Sequence, residues 1–215
     1  MIAALYVANE GPYHKRHGVD PWTVERDARQ YRGPHPVVAH PPCKRWGRYW
    51  GGGPVASRTF HMGDDEGCFA AALWAVRTFG GILEHPEGSH AFRWNGLPLP
   101  YMVDGEHSPK ADPLTWPAGA AWSLGVDQGH YGHRARKRTW LYGCGVPVPE
   151  LDRSPFVGGA RLDAGFHSAA ERAAAKAAGK VLNPAGRLTS LENLLTPPPF
   201  ADALLGAVEP RYATA

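Results

Sequence analysis

A cysteine after two prolines, a glutamate closing an apolar run and two arginines flanking a lysine are the residues whose types and settings could do chemistry. In His40-Pro41-Pro42-Cys43 the prolines fix φ and remove backbone donors, so the chain leaves regular pairing just before a potential thiolate nucleophile. Ile82-Leu83-Glu84-His85-Pro86 presents a carboxyl group suited to proton transfer or to stabilising developing charge. Arg134-Ala135-Arg136-Lys137-Arg138 offers cations that bind carbonyl or phosphate oxygens and raise the thiolate fraction of a nearby cysteine. Lys44-Arg45-Trp46-Gly47-Arg48-Tyr49-Trp50 alternates cations with aromatics before three glycines, as expected of a closing loop over a polyanion. Lys44, Arg45, Arg48, Arg134 and Lys137 would take phosphates there, and Trp46 would stack on a base.

The eleven histidines invite a metal reading, since His40 and Cys43 lie three apart, as do His130 and His133. Neither Cys-x-x-Cys nor His-Glu-x-x-His occurs, and the zinc-deaminase signature is missing, so no metal is expected.

These residues need elements to hold them. Ala3 to Val7 reads as a short buried strand, and Pro36-Val37-Val38-Ala39 as a second, whose carboxyl end delivers Cys43. Phe69, Leu73 and Val76 recur at helical spacing until Gly80-Gly81 stops the run, and Gly81 to Pro86 then forms a strand carrying Glu84. Helix followed by strand implies a parallel crossover. Residues 87–117 show no sustained period and read as a long loop or lid. Trp122 to Asp127 and Thr139 to Tyr142 are further strands, joined by the basic connection 128–137. A capping box at Ser168-Ala169-Ala170-Glu171 opens an alanine-rich helix, and Phe200, Leu204, Leu205 and Val208 mark a last amphipathic one.

The 215 residues suit a single domain, with 1–145 as an α/β core and 146–215 as a loop-rich extension whose helices dock on it. A net charge of +3 does not by itself indicate a polyanion, but the two basic clusters flank the chemistry. Three cysteines without a close pair argue for a reducing compartment, and no apolar run reaches membrane-spanning length, so a cytoplasmic protein with no membrane partner is expected.

Taken in chain order, Pro41-Pro42-Cys43, Glu84-His85-Pro86 and Tyr131-Gly132 with Arg136-x-Arg138 resemble the nucleophile, Glu-Asn-Val and Arg-x-Arg segments of DNA cytosine-C5 methyltransferases. The resemblance implies a reduced, Rossmann-like methyltransferase sheet with flanking helices, acting on DNA or on a cytosine nucleotide. It implies that Cys43 adds to C6 of the flipped base, that Glu84 binds N3 and the exocyclic amine, and that Arg136 and Arg138 hold the base carbonyl and a phosphate. S-adenosylmethionine is the implied donor. Yet Gly11 to Gly18 lacks the family's Phe-x-Gly-x-Gly-Gly turn, and the stretch after Gly143 is too short for a large target-recognition region. Three readings follow: methyl transfer from a remodelled donor site, C5 modification with another one-carbon donor or a partner protein, and a DNA-binding relative without catalysis.

Overall fold

In the computed structural model, residues 1–47, 50–51, 60–115, 119–157, 170, 173–174, 177, 192 and 194–209 are described. The expected helix from Ser168 and the phosphate contact at Arg48 fall largely or wholly outside them. The fold is mixed α/β, built on a seven-stranded sheet. Its strands are β1 (Ile2–Leu5), β2 (Val19–Trp22), β3 (Val37–Ala39), β4 (Gly81–Pro86), β7 (Lys110–Ala111), β8 (Ala121–Asp127) and β9 (Arg138–Cys144), with β5 (Tyr101–Val103) and β6 (Glu106–Ser108) forming a separate hairpin. The order across the sheet is β2-β1-β3-β4-β9-β8-β7. The first four strands are parallel, β9 runs against β4, and β8 runs against β9 and hence with the parallel set.

Strand alternation sorts the core into two layers. Leu5, Ala39, Leu83 and Tyr142 face α1 (Cys68–Phe79) and pack with Phe69 and Val76. Their neighbours Ala4, Val38, Ile82 and Leu141 face α3 (Pro198–Val208) and pack with Phe200 and Leu204. Close approach of β3 and β4 depends on Gly81, at φ +140, where a Cβ would lie 1.9 Å from the Val37 carbonyl oxygen. The chain leaves β1 to β2 on one side and returns to β3 on the other. The carboxyl ends of β1 and β3 are therefore the switch point where open α/β sheets place ligands.

One region departs from the sequence expectation. Residues 87–117 contain α2 (His90–Trp94), the β5–β6 hairpin and β7, whose two to five residues are too short to register a period. Val19–Trp22 forms an edge strand despite Pro21, which an edge tolerates. No helix among the described residues is long and apolar enough to cross a membrane.

Candidate active site

β3 pairs Ala39 with Leu83, so the next residue of each strand, His40 and Glu84, stand opposite on the face that α3 covers. His40 Nδ1 lies 3.0 Å from Glu84 Oε2, and its Nε2 lies 2.8 Å from the Tyr13 hydroxyl in the loop after β1. Gln128, just past β8, donates Nε2–H to Glu84 Oε1 at 3.1 Å and to Thr139 Oγ1 at 2.8 Å. A hydrogen-bonded chain thus runs from Tyr13 to Thr139 across the ends of β1, β3, β4, β8 and β9, with Glu84 at its centre. Because ionised Glu84 only accepts, Nδ1 of His40 carries the hydrogen between them.

Burial pushes the Glu84 pKa up, but the hydrogen bond and charge of His40, then the charge of Lys137, outweigh it and bring the value to about 2. Glu84 is therefore a carboxylate in the resting protein. Cys43 lies within range of its charge. The two prolines lift the chain out of β3, and the Cys43 carbonyl then accepts from the amides of Trp46 and Gly47, at 2.9 and 3.1 Å, to close a tight turn. Burial raises the half-buried Cys43 thiol, the Glu84 charge raises it further, and Lys137 opposes both. The Lys137 ammonium is itself lowered by burial and supported by Glu84 and Cys43, while its Nζ donates to the Leu195 carbonyl at 2.8 Å. Cys43, Glu84 and Lys137 thus form one electrostatic unit of thiol, carboxylate and ammonium.

Arg136 and Arg138 lie elsewhere. Arg136 Nε is 3.1 Å from Oδ2 of fully buried Asp127, and Arg138 pairs with Glu87 at 2.9 Å. Arg134 reaches Glu192 at 2.7 Å. Of the first basic cluster, Lys44 is exposed, and the Arg45 guanidinium covers the Phe60 ring at 3.3 Å. Trp46 is a core residue, 4% exposed, whose indole N–H donates to Asp65 at 2.7 Å. That burial leaves Trp46 no face for a base. Asp65, three residues before α1, also accepts from the Gly67 and Phe69 amides and so ties the Cys43 turn to α1.

Sequence reasoning missed Tyr13, Gln128 and Asp65, weighed His40 only as a metal ligand and gave Lys137 only a phosphate role. The available signal was parity: His40 lies two residues beyond Val38 and therefore shares its sheet face. Among the described residues no group of three or more His, Cys, Asp or Glu could hold a metal ion. Nor do the residues present fit S-adenosylmethionine as the resemblance implies: β1 leads through Tyr6, at φ 59, into turns, and residues 6–18 contain neither a glycine-rich turn nor a helix to cradle it. The chain matches no protein-family model, no curated protein and no solved structure.

Proposed function

We propose that this protein modifies cytosine at C5, in DNA or in a nucleotide, through transient addition of Cys43 to C6 of the base. The observation that carries the reading is the Glu84 carboxylate, aligned by His40 and Gln128 and electrostatically coupled to the Cys43 thiol at the carboxyl ends of β3 and β4. The sheet adds support. Its parallel order β2-β1-β3-β4 follows the doubly wound pattern with one outer strand fewer, consistent with a reduced Rossmann-like sheet.

The resting protonation states suit the addition step without an external acid or base. The Cys43 S–H bond breaks as sulfur bonds to C6, and Glu84 takes the thiol proton and passes it to N3 of the ring. The product is a neutral enamine whose C5 is nucleophilic, and Glu84 is a carboxylate again. His40 and Gln128 hold both carboxylate oxygens throughout, and Lys137 offsets negative charge on sulfur as the proton leaves. C5 then bonds to the incoming electrophile, the C5 proton leaves to solvent, and the C6–S bond breaks as Glu84 returns the N3 proton to sulfur, which restores the aromatic ring and the Cys43 thiol.

The cysteine half of this cycle is testable with no donor, since a proton from water can serve as the electrophile. Cytosine tritiated at C5, in DNA and as the deoxynucleotide, should release tritium to water with this protein and not with Cys43→Ala. Absence of release from both substrates would overturn the reading in favour of a binding module.

A further inference from the structure

Trp94 is 66% exposed, an unusual setting for an indole, since large aromatic side chains usually bury most of their area. It closes α2, whose start is fixed twice: Ser89 caps it by accepting from the Ala91 amide, and buried His85 at the end of β4 bonds the same serine hydroxyl at 2.7 Å. The His90 amide donates to the Trp46 carbonyl at 2.9 Å, joining α2 to the turn that begins at Cys43. The Trp94 and buried Trp46 rings meet edge to face with centroids 6.2 Å apart, which braces the Trp94 indole while most of its area stays exposed. Exposed Arg93 adjoins it on α2, and exposed Lys44 follows Cys43 in the turn.

We propose that Trp94 is a stacking platform for an unpaired base of a single nucleic-acid strand led past Cys43, with Lys44 and Arg93 engaging its phosphates. A rigidly held, exposed aromatic beside cations is the arrangement that binds single strands with little sequence preference, because every base has a face to stack and every nucleotide a charge to neutralise. The platform takes from the proposed function only the class of partner, and it favours a polymer over a free nucleotide.

Binding of a short oligothymidine tests it independently of Cys43 chemistry, because that strand contains no cytosine. Titration should quench tryptophan emission, and Trp94→Ala should weaken binding roughly tenfold or more, with Trp94→Phe retaining part of the affinity. Replacing Lys44 or Arg93 by Ala should each flatten the dependence of log affinity on log salt by about 0.7. Equal affinity of Trp94→Ala and the unaltered protein, equal affinity for duplex and single strand, or no binding at all would overturn the platform. Tritium release from the cytosine deoxynucleotide alongside any of these results would leave the Cys43 reading standing. Normal oligothymidine binding without tritium release would do the reverse.

Discussion

The two faces at the start of β9 use one basic run in opposite ways. Lys137 and Thr139 belong to the Glu84 side, where the ammonium offsets the Glu84 charge and favours the Cys43 thiolate, and the hydroxyl holds Gln128. Arg136 and Arg138 belong to the other side, where their charges are already matched by Asp127 and Glu87. Strand alternation makes the division: three consecutive cations cannot all face one pocket, and the middle one is turned toward the thiol. A cation near a cysteine in sequence is thus a poor guide to which cation tunes it.

Exchange kinetics can break this comparison outright. Glu84→Gln keeps the size and shape of the side chain but turns one acceptor oxygen into a donor and removes the proton carrier, and should slow tritium release by about a hundred- to a thousandfold. Arg136→Met and Arg138→Met should slow release from the deoxynucleotide by less than about tenfold, since neither arginine touches the Glu84 network. If either arginine variant loses as much as Glu84→Gln, the two faces act as one site.

Acid stability separates the faces next. The Glu84 pKa is about 2 in the folded protein, below its ordinary 4.5, so its stabilisation is present above the ordinary value and is lost as pH falls from there through about 2. Across that window, from the ordinary 4.5 down to about 2, Glu84 contributes about 3 kcal/mol to the pH dependence of unfolding. Denaturant melts between those pH values should show a shallower acid decline for Glu84→Gln than for the unaltered protein. An unchanged decline would mean that the carboxylate is not held by His40.

Much of this was legible beforehand in the chain, and the illegible part has a physical pattern. The strand leading to Cys43 and the strand carrying Glu84 announced themselves through short apolar runs followed by proline, and α1 through Phe69, Leu73 and Val76. The hydrogen-bonded chain around Glu84 did not, because Tyr13 and Gln128 lie 71 and 44 residues away along the chain, brought in by strand order rather than by local pattern. Trp46 was misleading for a related reason. An aromatic between cations looks like a surface reader, and only the buried acceptor Asp65 reveals that its indole belongs inside.

Thiol reactivity sharpens the comparison by sign. Following Cys43 alkylation by iodoacetamide at the level of its own peptide avoids Cys68 and Cys144. Lys137→Met should move the pH of half-maximal rate to the alkaline side, because an opposing cation is lost, and Glu84→Gln should move it to the acid side. Arg136→Met should leave it in place. A shift on removal of Arg136 equal to that of Lys137 would erase the distinction between the faces.

The smallest expected effect lies at the far end of the hydrogen-bonded chain. Tyr13 is 1% exposed and reaches Glu84 only through His40, so Tyr13→Phe removes one buried hydrogen bond and keeps the packing of the ring. Stability should fall by about 1 kcal/mol. Tritium release should fall less than about tenfold, because the Glu84 carboxylate keeps the direct donors His40 Nδ1 and Gln128 Nε2. The alkylation profile of Cys43 should not move, since burial, Glu84 and Lys137 set it and the neutral phenol does not. A loss of exchange as large as that of Glu84→Gln, with stability intact, would instead place the Tyr13 proton in the reaction and extend the site to the loop after β1.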